Sequence, residues 1–333
     1  MILVTGGTGL VGSHLLYHLS LKNDAIRAIY RTESSLEKVK KVFSYYTNDA
    51  TYFDKIEWFQ ADITQVPAMI PAFEDVKHVY HCAAFISFNR KDYREMRKVN
   101  IHGTAIVVNL CVDAKIEKLC FVSSIAAVGE SLNDALIDEE CEWNKELDNS
   151  GYSITKFGAE MEVWRASQEG VEVVIVNPGV ILGSGFWNAG SGKLFSQVYN
   201  GFKYYTEGIT GFVAVQDVVK PMIQLMNSTI KNERFILISE NKSFKEIFFA
   251  IAAGFGKKPP SIKIKPWQTA IFWRFSWLVS KITGVAPLIT KYSAKSAHSI
   301  SNYSSEKIQS TIDYKFESVE KSIERICENY SKD

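Results

Sequence analysis

Short apolar segments alternate with amphipathic ones along the first half of the chain. This alternation limits the possible folds more than any other feature of the sequence. Runs rich in apolar and β-branched residues predict strands, and apolar residues spaced three or four apart predict helices. The predicted strands are 2–4, 25–30, 55–60, 76–81, 118–123 and 171–176, and predicted helices include 34–46, 93–114 and 150–168. Strands separated by helices pair in parallel, so we predict an α/β fold with a doubly wound parallel sheet.

The first predicted strand leads directly into a glycine-rich turn. Gly6, Gly9 and Gly12 follow it, and apolar residues at helical spacing come next, beginning with Leu10 and Val11. A strand, a glycine turn and a helix together direct backbone N–H groups and the positive end of the helix at a phosphate. The first spacing is one residue longer than in G-x-G-x-x-G, so the turn alone also fits an ordinary strand-to-helix connection.

Composition excludes several classes of protein. Of the 333 residues, 46% are hydrophobic and 23% charged, as in ordinary globular proteins, and a net charge of +1 gives no electrostatic footprint for nucleic acid. The five cysteines form no C-x-x-C pair, which predicts reduced thiols and a cytoplasmic location. The first strand starts at residue 2, so we expect no signal peptide.

His14 and His18 are interpreted as helix-surface residues, since no glutamate completes an H-E-x-x-H motif, and no metal site is expected.

The sequence "GYSITKFGAE" carries the strongest indication of chemistry. Tyr152 and Lys156 lie four residues apart at the start of a predicted helix, so both project from one face. Ser123 and Ser124 end the fifth predicted strand, where parallel sheets present reactive groups. A tyrosine and a lysine at this spacing also occur as an ordinary surface pair.

These features together resemble the extended short-chain dehydrogenase/reductase superfamily. The resemblance covers most of the chain and includes the family's T-G-x-x-G-x-x-G at 5–12, N-x-x-G-T at 100–104, S-S-x-x-x-x-G at 123–129 and the "NPGVILG" segment at 177–183. It implies that Ser124 holds a carbonyl oxygen, Tyr152 supplies a proton, and Lys156 lowers the pKa of the tyrosine. Asn100 is either the anchor of a water relay or a structural polar residue of its helix.

The resemblance also implies a set of cofactor-binding residues. They are Gly6, Gly9, Leu10, Val11, Gly12, Arg31, Lys38, Asp62, Ile63, Cys82, Ala83, Ala84, Tyr152, Lys156 and Pro178. The second predicted strand ends at Tyr30-Arg31 without the acidic residue that accepts a ribose 2′-hydroxyl in NAD-binding proteins. Arg31 and the following Lys38 resemble the dihydroflavonol-reductase branch, in which such residues hold a 2′-phosphate, so NADP is favoured over NAD. The alternative is that Arg31 is only a solvated charge at the end of a strand.

Three functions fit this family resemblance. The first is an NADP-dependent oxidoreductase acting on a ketone or secondary alcohol of a fairly bulky small molecule, similar to dihydroflavonol reductases and 3β-hydroxysteroid dehydrogenases. The second is a nucleotide-sugar epimerase or dehydratase, and the third is a non-catalytic NADP-binding sensor. Ser124 is followed by Ile125-Ala126-Ala127 rather than the Asp-Glu pair of sugar dehydratases. The "TGFVAVQD" segment keeps the hydrophobic frame and Asp217 of an epimerase motif but has Thr210-Gly211 in place of its Arg-Asp. The tyrosine and lysine that sensors usually lose are both present.

The second half of the chain predicts a smaller substrate-binding cap. We place the Rossmann domain at 1–177 and the cap at 178–333, interleaved with the sheet domain. Segment 179–192 is predicted to be a long loop, 217–226 and 244–255 helices, and 234–238 a strand. A homodimer through helix 93–114 and the Tyr152 helix is expected from the family resemblance alone.

The aromatic segment 266–288 leaves three interpretations open. It contains three tryptophans and two phenylalanines, but Arg274 and Lys281 interrupt it, so we expect no membrane span. The favoured interpretation is a buried amphipathic helix of the cap. A wall for a bulky apolar substrate, to which Phe85, Phe88 and Trp187 could also contribute, comes second, and a membrane-surface face comes third.

Overall fold

A parallel sheet forms the centre of the computed structural model, which describes residues 1–22, 25–131, 136–285, 287 and 289–333. The described strands are β1 (Ile2–Thr5), β2 (Ile26–Tyr30), β3 (Glu57–Gln60), β4 (His78–His81), β5 (Lys118–Val122), β6 (Glu172–Pro178), β7 (Val180–Leu182), β8 (Tyr204–Tyr205), β9 (Ile209–Ala214), β10 (Glu233–Leu237), β11 (Glu240–Ser243) and β12 (Ile262–Lys263). Over the described residues the central sheet has seven strands in the order β3-β2-β1-β4-β5-β6-β10, and every neighbouring pair is parallel. The predicted doubly wound α/β fold is confirmed.

Helices cover both faces of this sheet. The described helices are α1 (Leu10–Ser20), α2 (Ser34–Ser44), α3 (Thr51–Asp54), α4 (Val66–Met69), α5 (Tyr93–Met96), α6 (Thr104–Asp113), α7 (Gly151–Gln168), α8 (Gly192–Tyr199), α9 (Val215–Met226), α10 (Phe244–Gly254), α11 (Pro266–Thr283), α12 (Lys291–Ser296), α13 (Glu306–Ile312) and α14 (Val319–Tyr330). Side chains of α1, α2 and α9 pack on one face of the sheet, and those of α4, α6 and α7 pack on the other. Each face therefore has its own apolar core, which explains the near-continuous apolar sequence of the central strands.

The predicted long helix 93–114 contains a π-helical segment. Arg97–Gly103 has π-helical hydrogen bonding between α5 and α6. An added Cβ at Gly103 would lie 2.8 Å from the Ile63 side chain, so the helix packs closely against the segment that follows β3. Widened turns of this kind often occur at functional sites, because they redirect side chains.

The second half of the chain builds two small sheets and a third apolar core. β7, β9 and β11 form one sheet and β8 pairs with β12, while α8, α10 and α14 pack together beside them. The prediction of a long loop at 179–192 was wrong for 180–182, because β7 lies inside this segment and pairs with β9. β10 returns to the central sheet beside β6. The boundary between 177 and 178 stays a prediction.

The aromatic segment folds as the predicted helix but not with the predicted burial. In α11 the buried side chains are the small polar ones, Thr269, Ser276 and Ser280, whereas most of its large apolar side chains are exposed. The prediction of a buried apolar face was therefore wrong. The hydroxyl side chains provide a reason for the inverted orientation, since the Thr269 hydroxyl lies 2.7 Å from His298 Nε2. Ala286 and Leu288, at the end of this segment, lie outside the described residues.

Candidate active site

The glycine turn connects β1 to α1 at the carboxyl edge of the sheet. Gly6 has a φ of +68°, which disfavours side chains, and a Cβ there would lie 2.5 Å from the Ala83 backbone nitrogen. A Cβ at Gly12 would lie 2.2 Å from the Gly6 carbonyl oxygen. These two glycines are therefore required by the close packing of the turn itself.

Gly9 differs from the other two glycines. Its backbone is extended, with a φ of −93°, and an added Cβ would meet only the Gly6 carbonyl oxygen, at 3.4 Å. Neither conformation nor packing among the described residues requires glycine here, so its missing side chain leaves space in front of α1. Gly9 also provides no side-chain cap for α1, and no acidic residue lies in the first turn, which contains Leu10 and Val11. The free N–H groups and positive end of α1 can therefore face an anion across that space, as a dinucleotide pyrophosphate requires.

The segment after β4 lies directly beside the glycine turn. The Cys82 backbone N–H donates to the Thr5 carbonyl oxygen at 3.1 Å, and the Ala83 backbone lies against Gly6. Ala84 is exposed at the same edge. Burial raises the pKa of the Cys82 thiol to about 12, despite the nearby Lys156 ammonium. Cys82 therefore stays a neutral thiol at physiological pH.

A buried histidine fixes the ends of β1 and β4 below this surface. His81 Nδ1 lies 2.6 Å from the Thr5 hydroxyl, and Nε2 lies 2.9 Å from the Thr104 hydroxyl on α6. Burial, together with the charge of Lys156, lowers the pKa of His81 to about 3. The ring is therefore neutral, and it links the glycine turn to α6 without adding charge to the site.

The ends of β2 and β3 present a basic and an acidic group near each other. Arg31 and Lys38 are both exposed, and neither forms an ion pair within 4 Å of another described residue. Burial opposes ionisation of Asp62, but hydrogen bonds from Thr64 and the charges of Arg31 and Lys98 outweigh it and lower the pKa of Asp62. Ile63, next to it, is buried against Gly103. An unpaired arginine at the end of β2 can accept a phosphate group without breaking an existing ion pair.

Tyr152 and Ser124 meet where β5 ends and α7 begins. Ser150 caps α7, since its hydroxyl accepts from the Ser153 backbone N–H at 3.0 Å, and this cap places Tyr152 in the first turn. Burial raises the pKa of Tyr152, and a side-chain hydrogen bond with Ser124 counteracts part of that effect. Phe88 lies edge-on to the Tyr152 ring, with centroids 5.9 Å apart. The phenol is thus a protonated group beside a serine hydroxyl and an aromatic ring.

Lys156 lies one turn further along the same face of α7. Its side chain is 2% exposed, its Nζ donates to the Val122 carbonyl oxygen at 2.7 Å, and it lies 4.5 Å from the centroid of the Phe121 ring. Burial lowers the pKa of Lys156 to about 8, although the Glu160 carboxylate acts in the opposite direction. The lysine is therefore still mostly cationic at neutral pH.

A buried ion pair supports these residues from below, and sequence reasoning missed it. Glu160 is fully buried and accepts from the Ser123 hydroxyl at 2.6 Å, from Asn177 Nδ2 at 3.0 Å and from Arg234 at 3.2 Å. Asn177 Nδ2 also donates to the Ser124 carbonyl oxygen at 3.0 Å. The i, i+4, i+8 spacing of Tyr152, Lys156 and Glu160 could have indicated a shared face, but nothing local indicates the partner on β10.

Asn100 and Pro178 are both buried. The Asn100 side chain is buried in the π-helical segment, where its Oδ1 accepts from the Phe85 N–H at 2.7 Å and its Nδ2 donates to the Phe85 carbonyl oxygen and to Thr155 Oγ1, each at 3.0 Å. These bonds favour the structural interpretation of Asn100 over the water relay. Pro178 is buried at the carboxyl end of β6.

Several other predicted residues have structural partners instead. His14 is buried, so the prediction that it lies on the helix surface was wrong. Burial lowers the pKa of His14 to about 4. Its Nε2 donates to the Ser184 carbonyl oxygen at 3.2 Å, and its Nδ1 is hydrogen-bonded to the Tyr46 hydroxyl. Asp217 accepts from the Tyr314 hydroxyl at 2.6 Å and anchors the C-terminal segment. Trp187 packs against Tyr330, with ring centroids 4.8 Å apart, which favours a packing role over a place beside Tyr152.

The described site fits a nicotinamide dinucleotide. An uncapped helix end faces the space left by Gly9, an arginine without an ion pair ends β2, and Ser124, Tyr152 and Lys156 converge at the ends of β5 and α7. The chemistry this donor set allows is transfer of a proton to or from an oxygen atom held by two hydroxyl groups beside a cation.

Comparisons with known proteins agree with this geometry. Residues 4–228 match the profile of the NAD-binding family described as "Male sterility protein". The chain is 26% identical over 268 residues to sterol demethylase protein B of Methylococcus capsulatus, covering 79% of this chain and 77% of that protein. It is 27% identical over 192 residues to dihydroflavonol 4-reductase of Dianthus caryophyllus, covering 55% of this chain and 52% of that protein.

Solved structures share the whole fold. The crystal structure of gox2253 superposes with a TM-score of 0.82 at 23% identity, covering 100% of this chain and 98% of that one. The UDP-glucose 4-epimerase of Thermotoga maritima superposes with a TM-score of 0.76 at 17% identity, covering 99% and 98%. The chain belongs to the Male sterility protein family of NAD-binding proteins, and it is an NAD(P)-dependent enzyme of the extended short-chain dehydrogenase/reductase type.

Proposed function

We propose that the protein is an NADP-dependent oxidoreductase that interconverts a ketone and a secondary alcohol on a fairly bulky small molecule. The observation that carries the proposal is the convergence of Tyr152, Ser124 and Lys156 where β5 ends and α7 begins, at the same sheet edge as the glycine turn. The names of the relatives support the substrate class, since a sterol and a dihydroflavonol are both bulky ring systems.

Ser124, Tyr152 and Lys156 have different roles in the reaction of the carbonyl group. A bound reduced nicotinamide would supply the hydride that reaches the carbonyl carbon. As negative charge develops on the carbonyl oxygen, the Ser124 hydroxyl donates a hydrogen bond to it and Tyr152 transfers its phenolic proton to it, giving the alcohol. The Lys156 ammonium stabilises the resulting phenolate by its positive charge.

The proposed preference for NADP depends on Arg31 and Lys38. Both are exposed at the end of β2 and in α2, and neither is in an ion pair with another described residue. A guanidinium and an ammonium suit the dianionic 2′-phosphate that distinguishes NADP from NAD. No acidic residue ends β2 to accept the 2′-hydroxyl of NAD.

A nucleotide-sugar epimerase or dehydratase is the second candidate, because the chain shares its fold with the UDP-glucose 4-epimerase. Two observations favour the reductase. Ile125–Ala127, after Ser124, is a short apolar 3₁₀ turn, with Ile125 and Ala127 buried, that lacks the acid and base groups sugar dehydratases carry there. The Asp217 carboxylate is already used by Tyr314 and the Glu317 backbone.

Cofactor consumption distinguishes the two functions. The purified protein is incubated with NADPH and a panel of cyclic ketones, and in parallel with UDP-glucose, while absorbance of NADPH and product composition are followed. A reductase consumes one NADPH for each alcohol formed. Interconversion of UDP-sugars without net loss of cofactor would establish the epimerase instead.

A further inference from the structure

A surface helix of a soluble protein usually buries its apolar face, but α11 buries its polar face and exposes its apolar face. Its inward face consists of Thr269, Ser276 and Ser280, which recur at seven and four residues and are buried. Outward-pointing residues are apolar and large: Ile271 and Phe275 are each 61% exposed, and Ile282 is 77% exposed. Contact of this apolar surface with water is unfavourable, and exposed apolar patches of this kind mark interaction sites.

The exposed apolar residues concentrate in this part of the chain. Among the described residues, 22 large hydrophobic side chains are exposed, and ten of these lie between 262 and 285. They are Ile262, Trp267, Ile271, Phe272, Phe275, Trp277, Leu278, Val279, Ile282 and Val285. Single exposed apolar residues are normal on a protein surface, but a cluster of this kind marks an interaction site.

A longer segment that contains these exposed apolar residues, 247–305, is strongly cationic. Residues 247–305 contain eight of the 38 lysines and arginines and none of the 37 aspartates and glutamates, so this segment carries +8 and the rest of the chain −7. Lys263 and Lys291 pair with Glu207 and Asp148 from outside the segment. The chain as a whole is nearly neutral, but the segment that contains α11 is basic.

The two cations on α11 lie beside aromatic rings. The Arg274 guanidinium is 4.8 Å from the centroid of the Trp273 ring, and Lys281 Nζ is 4.4 Å from that of Trp277. Neither cation forms an ion pair with another described residue, and Lys265, just before the helix, is exposed. Tryptophan and basic residues bordering an apolar surface are the composition found at a membrane–water interface.

The length and charge of α11 determine how it can meet a bilayer. None of the helices in the described ranges is both long and apolar enough to cross a membrane. α11 has 18 residues, about 27 Å along its axis, and keeps its polar face on the protein. A helix with these properties lies in the plane of the interface, with its apolar side chains in the acyl boundary.

We propose that α11 and its basic flanks bind the surface of an anionic lipid bilayer. The apolar side chains Ile271, Phe275 and Ile282 enter the interface, while Lys265, Arg274 and Lys281 contact the anionic headgroups. Charge favours this partner over a second copy of the chain, because a symmetric contact through this face would bring together Lys265, Arg274 and Lys281 of both copies, and none of these cations is in an ion pair with another described residue. The proposal does not depend on the reaction catalysed at Tyr152.

Vesicle flotation tests the proposal on the full-length protein. Vesicles of phosphatidylcholine alone are compared with vesicles of equal parts phosphatidylcholine and phosphatidylglycerol. The charge variant is Lys265→Gln/Arg274→Gln/Lys281→Gln, with Lys22→Gln/Lys115→Gln/Lys145→Gln as its matched control on exposed lysines elsewhere. The apolar variant is Ile271→Ser/Phe275→Ser/Ile282→Ser, with Leu21→Ser/Ile70→Ser/Met161→Ser as its control on other exposed apolar positions. All altered side chains on α11 are exposed, so circular dichroism and melting temperature should match the parent.

We expect the parent to float with the anionic vesicles and to be released by high salt, because screening weakens the headgroup contacts. The charge variant should partition roughly 100-fold more weakly, at about 1 kcal/mol for each cation near the surface, and its control should bind like the parent. The apolar variant should stay unbound. No flotation of the parent, or equal losses in variants and controls, would overturn the proposal. So would a parent dimer that the apolar variant converts to monomer, since this would identify a second copy as the partner.

Discussion

Lys156 should lower the stability of the protein in the absence of cofactor. Burial lowers its pKa from the ordinary 10.5 to about 8, so keeping it protonated at pH 7 costs the folded state ~3 kcal/mol relative to a solvated lysine. In Lys156→Met the charge is removed and most of the side-chain volume is retained, but the Val122 carbonyl oxygen loses its donor, which costs about 1 kcal/mol. We therefore expect the variant to be more stable than the parent by about 2 kcal/mol at pH 7.

The pH dependence provides the sharper test. Because the folded-state pKa of Lys156 lies below the unfolded-state value, the unfolded state binds more protons between about pH 8 and 10.5, and the stability of the parent rises with pH across that window. Lys156→Met lacks this dependence, so its advantage over the parent should shrink by about 2 kcal/mol between pH 7 and pH 9.5.

Urea denaturation of both proteins without cofactor measures this difference. Lys145→Met, at an exposed lysine, is the control and should follow the parent within about 0.5 kcal/mol at both pH values. A Lys156→Met variant that is less stable than the parent at pH 7, or whose difference from the parent is the same at both pH values, would refute the reasoning.

Three further predictions concern the cofactor site. Arg31→Ala should remove most of the preference for NADPH over NADH, since a hydrogen bond to a charged group contributes about 1.5–3 kcal/mol; calorimetric titration measures it, and equal affinities in the parent would contradict it. Gly9→Ala should melt like the parent but bind NADPH much more weakly, whereas Gly12→Ala should lower the melting temperature because its Cβ would meet the Gly6 carbonyl oxygen. NADPH affinity should fall at alkaline pH as Lys156, one of the expected cofactor-binding residues, loses its proton. Glu160→Gln removes a carboxylate that raises the pKa of Lys156, so this fall should begin at a lower pH than in the parent; an unchanged profile would count against that role.

The parts of the site that are local in sequence were predictable. The turn at Gly6, the hydroxyl of Ser124 at the end of β5, and the four-residue spacing of Tyr152 and Lys156 each depend on a few consecutive residues. Parallel strands then bring these segments to one edge, because the carboxyl ends of all such strands meet there. The fold and the convergence of the site follow from this regularity.

The parts that depend on distant partners were not predictable. The carboxylate of Glu160 meets Arg234 across 74 positions, and His14 meets Ser184 across 170, so no local pattern shows that either side chain is buried and satisfied. The prediction for α11 was wrong for another reason. Helical periodicity identifies its two faces but not which of them contacts the protein, and burial of the apolar face is only the commoner outcome.

Isotope transfer in parent and Tyr152→Phe protein tests the proposed reaction most directly. The parent, given NADPH deuterated on the transferable position and a ketone found in the panel, should form an alcohol carrying one deuterium on the former carbonyl carbon. Tyr152→Phe should form no labelled alcohol while binding NADPH with nearly the affinity of the parent, because only the proton donor is lost. Labelled alcohol formed at a near-parent rate by Tyr152→Phe would contradict the assignment of the tyrosine, and its pairing with Ser124 and Lys156 would then be structural.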